Sequence, residues 1–288
     1  MATGGSDQLV RNVSDTALWA AAYRARENDR PNPLFRDPFA RRLAGTRGQR
    51  IAERLTASDS WAWVTRTYLF DRFIWERIAQ GTDTVVNLAA GLDARPYRMD
   101  LPASLRWFEV DLPDLLAYKT EALAGEKPRC ALERIALDLS DTAARRSLFD
   151  RLRGGAKKAL VITEGLLIYL TAEEVAALAK DLTVPESFRH WVLDLVSPGL
   201  LRMLQKKTKG ELDAAGAPLK FGPAEGPGFF TAHGWRPVEI GSIIKTAAQL
   251  KQLSFGMRLV AMLPQSDGPQ GSRPWGGVCL LERGNQPK

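Results

Sequence analysis

From Gly81 onward, short apolar runs alternate with helical stretches, and this alternation leaves the chain few folds to adopt. TVVNLAAG is β-branched and ends in small residues, LRWFEVD and ALERIALD end in acids, and KALVITEG and SFRHWVLDLV follow. Between them, PDLLAYKTEAL opens with proline and DTAARRSLFDRL follows the third run; AEEVAALAKDL follows Thr171, which with Glu174 forms a capping box. Strands alternating with helices build βαβ units, so a parallel sheet covered on both faces is predicted. Right-handed crossovers make that sheet doubly wound. RPVEIGS and GGVCLLER are expected to close it.

The first 81 residues read as a helical extension before the α/β core of 82–288, the whole forming one domain. Asp15 is placed to cap a helix through TALWAAAYRARE. Asp37-Pro38 supplies the cap and first residue of a second helix, with Phe39 and Leu43 on one face and Gly45 as its stop. Trp61, Val64, Tyr68, Phe73 and Ile78 follow one side of a third helix that Gly81 ends. Residues 207–228, rich in Gly, Pro and Lys, predict a loop within a cover insertion spanning about 199–232.

Several classes drop out on composition. With 45% hydrophobic and 25% charged residues, the chain matches soluble globular averages and not a disordered, collagen-like or coiled-coil chain. No stretch approaches the roughly 18 apolar residues of a membrane span, and the first residues lack the basic and apolar regions of a secretory signal. A net charge of +7 is spread out, with only Lys206-Lys207-Thr208-Lys209 dense, so neither a nucleic-acid nor a membrane partner is expected. Two cysteines, Cys130 and Cys279, and two histidines, His190 and His233, make no zinc site, and a cytoplasmic setting is expected.

Ligands of an open parallel sheet bind beyond the carboxyl ends of its strands. Those ends carry Ala89-Ala90-Gly91-Leu92-Asp93, then Glu109-Val110-Asp111, then Asp138-Leu139, then Glu164-Gly165. Small residues let a ligand approach the backbone. Asp111 lies twenty residues beyond Gly91, the distance at which an acid meets ribose hydroxyls in nucleotide folds. Asp138 suits an adenine amino group, the Leu139 N–H suits the ring, and Glu164 suits a cation. Ala89-Ala90-Gly91 keeps one glycine of the G-x-G-x-x-G fingerprint, which disfavours a dinucleotide and leaves a nucleoside without phosphates. S-adenosyl-L-methionine is such a ligand.

The strings TALWAAAYRARE, LFRDPFARRLAG, VVNLAAGLDARPYR, WFEVDLP and EGLLIYL resemble the leucine carboxyl methyltransferase family, most closely its bacterial branch of S-adenosylmethionine-dependent methyltransferases. The resemblance runs from about Ser14 to Arg283. It implies a class I methyltransferase (Rossmann-like) fold of seven strands with a substrate cover. It also implies cofactor-binding roles: Arg66 on the methionine carboxylate, Gly91 in the first turn, Asp111 on the ribose, Asp138 and Leu139 at the adenine, and Glu164 closing the fourth strand. The family's usual Gly-Ala-Gly is Ala89-Ala90-Gly91 here, and its usual threonine is Ala94.

The implied activity is methyl transfer to a carboxylate or hydroxyl of a small-molecule acceptor. A carboxylate is ionised at neutral pH and needs no base. A hydroxyl wants one, for which His190, His233 and Tyr169 are the candidates; Tyr169 is also placed to line the acceptor pocket. Three other readings stay open: methylation of a protein C-terminal carboxylate, a nicotinamide-dependent oxidoreductase, and a methyltransferase fold kept as a binding module.

Overall fold

The computed structural model describes residues 10, 12–55, 60–208, 210–263, 271 and 273–284. Three helices come first: α1 (Asp15–Glu27), α2 (Ala40–Leu55) and α3 (Ser60–Ala79). Asp15 is the first residue of α1 and not its cap; its N–H donates to Asn12 Oδ1 at 3.3 Å, and its carboxylate pairs with Arg47 of α2. Asp37 does cap the start of the second helical stretch, its Oδ1 accepting from the Phe39 N–H at 3.2 Å. Gly45 adopts a left-handed backbone (φ 56°) that kinks α2, but helix resumes beyond it to Leu55.

The core alternates as expected: β1 (Thr84–Leu88), α4 (Arg95–Arg98), β2 (Arg106–Asp111), α5 (Pro113–Ala122), β3 (Ala131–Ala136), α6 (Thr142–Arg153), β4 (Ala159–Thr163), α7 (Ala172–Thr183) and β5 (Phe188–Val196). Asp141 caps α6, and the Thr171–Glu174 capping box of α7 is complete. After β5 come α8 (Pro198–Thr208), α9 (Glu211–Ala214), a 3-10 stretch over Gly226–His233, β6 (Trp235–Ser242), α10 (Ile243–Gln249), α11 (Phe255–Ala261) and β7 (Gly276–Arg283).

The strands form one sheet in the order β3-β2-β1-β4-β5-β7-β6. β1 to β5 pair in parallel, and β7 runs antiparallel between β5 and β6. Central β1 and β4 are buried at every position, whereas the edge strands β3 and β6 largely alternate between more and less exposed residues. Successive residues divide between the sheet faces. Val85, Leu160 and Val192 pack under Leu69, Phe70, Phe73 and Ile74 of α3, while Val86, Val161 and Leu193 pack with Phe149 of α6 and Leu178 of α7. Cys130 and Cys279 are free and buried, and burial pushes the Cys130 thiol up to about 11.

Past α9, residues 215–225 form a loop without regular structure, as expected, but one packed as an arm on the core. Leu212, Ala215 and Leu219 bury beside Trp19 and Tyr23 of α1, Phe221 enters the sheet-side core, and the Lys220 and Phe221 N–H groups both donate to the Ile168 carbonyl. The arm's few apolar side chains fall where the helical extension offers them a surface.

Candidate functional site

The chain leaves β1 through a tight turn in which Ala89 (φ 53°) and Gly91 (φ 49°) are left-handed. Asp111, at the end of the neighbouring β2, accepts from the Gly91 N–H at 2.6 Å and from the Leu112 N–H at 2.7 Å. Burial pushes its carboxyl above the usual range, against the lowering effect of those two donors and Lys119. Beyond β3, exposed Asp138 accepts from the Ser140 N–H at 2.9 Å. The Leu139 carbonyl accepts from Arg145 Nη1 at 2.7 Å, and Arg145 is anchored in turn on Asp181 of α7. Glu109, also on β2, serves the interior: it pairs with Lys119 at 2.8 Å and with Arg134 at 3.0 Å.

Arg66 reaches from α3 to the ends of β4 and β5. Its Nε lies 3.2 Å from Glu164 Oε1, its Nη1 lies 3.3 Å from Asp194 Oδ2, and its guanidinium stands 4.6 Å over the Trp63 ring. Asp194 also accepts from the Gly165 N–H at 2.7 Å, and burial raises its pKa while Arg66 opposes the rise. Sequence reasoning passed over Asp194; the available signal was a lone acid between Leu193 and Leu195 in an apolar strand.

Arg66, Gly91, Asp111, Asp138, Leu139, Glu164 and Tyr169 all line one cavity of about 1290 Å³, together with Ala89 and Asp194. Burial raises the pKa of the Tyr169 phenol, so it is protonated at neutral pH and is no general base. His190 and His233 lie off the wall of this cavity, which removes both as bases there. Among the described residues no cluster of His, Cys, Asp and Glu suits a metal ion.

Beneath the β1 turn lies an ionic network that the sequence did not reveal. Arg95, 2% exposed, pairs with Asp71 of α3 at 2.6 Å, Asp93 at 2.9 Å and Glu164 at 2.8 Å. Arg98 joins Asp71 at 2.7 Å, and Arg24 of α1 joins Asp37 at 2.9 Å and the Leu92 carbonyl at 2.6 Å. Asp93 also accepts from the Arg95 N–H at 2.9 Å, supplying the cap that Ala94 cannot. Two covers close the cavity. One is α8 with the arm after it, through Leu204, Leu212 and Leu219; the other is α10–α11, through Ile244, Leu253 and Met257, which the sequence reading left out of the site.

A family model described as leucine carboxyl methyltransferase matches residues 17–183. A Parafrankia protein named "putative S-adenosyl-L-methionine-dependent methyltransferase" is 34% identical over 261 residues, covering 83% of this chain and 81% of its own. A Mycobacteroides abscessus protein of the same description is 36% identical over 200 residues, 63% of this chain and 64% of its own, so this chain spans less than two thirds of that relative. A crystal structure of a Thermobifida fusca protein titled "putative methyltransferase" superposes with a TM-score of 0.55 at 14% identity, covering 97% of both chains. At that identity the likeness is one of fold, the seven-stranded Rossmann-like sheet of class I methyltransferases.

Proposed function

This chain belongs to the leucine carboxyl methyltransferase family, and on that premise we propose that it transfers the methyl group of S-adenosylmethionine to a carboxylate or hydroxyl oxygen of a small molecule with a large apolar body. One observation carries this reading: the small-residue turn, the strand-end acids and Arg66 line the same cavity, whose remaining lining is largely apolar. The residues present fit the cofactor. Arg66 Nε is buried without a hydrogen-bond partner, beside two carboxylates. A cation next to two acids is what the charged ends of an amino acid require.

Bound S-adenosylmethionine supplies an electrophilic methyl on a sulfonium, which leaves as a neutral thioether. In this reading Asp111 takes the ribose hydroxyls, and Asp138 and the Leu139 N–H take the adenine edge. Arg66 grips the methionine carboxylate with a two-pronged hydrogen bond, and Glu164 and Asp194 face the ammonium. The leaving group needs no acid, so the protein's work is to align the acceptor oxygen with the methyl and to exclude water. Tyr169 stands on the acceptor side. Its protonated phenol and the absence of histidine from the cavity wall favour an acceptor that arrives ionised, a carboxylate.

The test is calorimetry with S-adenosylhomocysteine and with NAD, followed by mass spectrometry of candidate acids incubated with S-adenosylmethionine. Binding of S-adenosylhomocysteine alone, with methyl ester formed on an apolar acid, is expected. Binding of NAD instead sinks the reading, and cofactor binding without turnover on any acceptor turns it into a binding module.

A further inference from the structure

Among the described residues twelve large hydrophobic side chains are exposed, and five of them fall within Phe255–Leu263: Phe255 (78%), Leu259, Val260, Met262 (79%) and Leu263. Phe255, Leu259 and Met262 recur at helical spacing and form one outward stripe on α11. The opposite stripe, Met257 and Ala261, packs inward on Leu253 and Ala247. α11 is therefore apolar on both sides, and among the described residues one of those sides is left exposed. Met257 and Val260 line the cavity, as do exposed Val13 and Met203.

The charges carried by α10, α11 and the link between them are all basic. From Ile240 to Leu263 the chain carries Lys245, Lys251 and Arg258 and no acid, and all three basic residues are exposed. Arg30, which lines the cavity and pairs with Glu27 at 3.6 Å, donates to Gln252 between α10 and α11. An apolar stripe flanked by lysine and arginine is the pattern of an element that lies in the plane of an anionic lipid surface. No helix among the described residues is long and apolar enough to cross a membrane, so the contact is with a surface and not a span.

We infer that α11 docks on an anionic lipid surface, with the cavity mouth at the docked face. The inference does not rest on the methyl-transfer reading, since Phe255, Leu259, Met262, Lys245, Lys251 and Arg258 do not line the cavity. It gives an apolar acceptor a route from lipid into the cavity without crossing water.

The test is co-sedimentation of the full chain with vesicles of phosphatidylcholine alone and with about a third phosphatidylglycerol. Binding to the anionic vesicles, weakened by salt, is expected, with little on the neutral ones. Lys245→Ala with Lys251→Gly, the latter suited to the left-handed backbone at Lys251 (φ 57°), is expected to weaken binding about 30-fold, at about 5-fold per cation. Phe255→Ser with Met262→Ser is expected to weaken it at least about 10-fold, since each removes most of a buried apolar side chain. None of these residues lines the cavity, so unchanged S-adenosylhomocysteine affinity in both variants certifies the fold. Equal binding to neutral vesicles, no binding to either, or a dimer in gel filtration that the serine variant dissolves would each overturn the inference. Should the wild type fail to bind S-adenosylhomocysteine, the cofactor reading falls while the vesicle result still stands.

Discussion

Asp111 is held ready by two backbone donors, one from the turn that contains Gly91 and one from the start of α5. Losing a charged hydrogen-bond partner costs about 1.5–3 kcal/mol, so Asp111→Ala is expected to weaken S-adenosylhomocysteine binding by about 10- to 150-fold in calorimetry; unchanged affinity removes Asp111 from the site. Arg66→Lys keeps the charge and loses the fork. Adenosine is expected to bind that variant as it binds wild type, while S-adenosylhomocysteine binds much less tightly; equal losses would count against a role at the amino-acid end. Ala89 sits left-handed on the cavity wall, where a side chain costs about 1–2 kcal/mol that glycine avoids. Glycine's greater freedom in the unfolded chain returns about 0.5–1 kcal/mol of that. Ala89→Gly is therefore expected to raise unfolding stability by no more than about 1.5 kcal/mol and to tighten S-adenosylhomocysteine binding by freeing space in the turn. Weaker binding would show that the methyl group helps to shape the turn.

Among the elements, those with local signals formed as their residues dictate. The α7 capping box, the Asp141 cap of α6 and the proline opening α5 are all in place, because each depends only on residues a few positions apart. The arm at 210–228 keeps the turns its composition speaks for, whereas its packing is set by the α1 surface on which Leu212, Ala215 and Leu219 land. Asp213, Ala214 and Gly216 cluster among its exposed positions. Limited proteolysis is expected to cut there first, with cofactor and a true acceptor together slowing the cut. Cleavage that no ligand changes, with turnover intact after nicking, would make the arm a packed surface feature without a part in closing the cavity.

For the whole molecule, the clearest consequence is sensitivity to acid. Burial disfavours the charge on Asp93, but Arg95, Lys119, Arg98 and Arg24 outweigh it and hold the carboxyl at about 2, against 3.8 ordinarily. A carboxyl lowered in the folded state adds stability above its unfolded pKa and loses it as pH falls through the folded value, here between about pH 4 and 2 and amounting to about 2 kcal/mol. His190 is held neutral by burial and by Arg77 and Lys158, its pKa down at about 4. The unfolded chain takes up that proton near pH 6.5, so this part of the stability is lost between about pH 6.5 and 4. Urea midpoints are expected to fall in both windows, with His190→Gln flattening the upper and Asp93→Asn the lower. Asp93→Asn is also expected to cost about 3 kcal/mol at neutral pH, since it leaves Arg95 short of a partner. A flat profile in wild type would refute both assignments. What the sequence by itself determined is the alternation of five strands with helices, the two closing strands, the strand-end turn and acids, and hence which end of the sheet carries the cavity. Those features rest on hydrophobic period and on neighbours a turn or two away. Only the tertiary structure decided that Arg66 meets Asp194 across 128 positions, that Arg95 joins Asp71 to Glu164, and that α10–α11 walls the cavity. An ion pair between distant residues leaves no periodic trace, since it exists only where crossovers and packing bring two strand ends and a helix to one point.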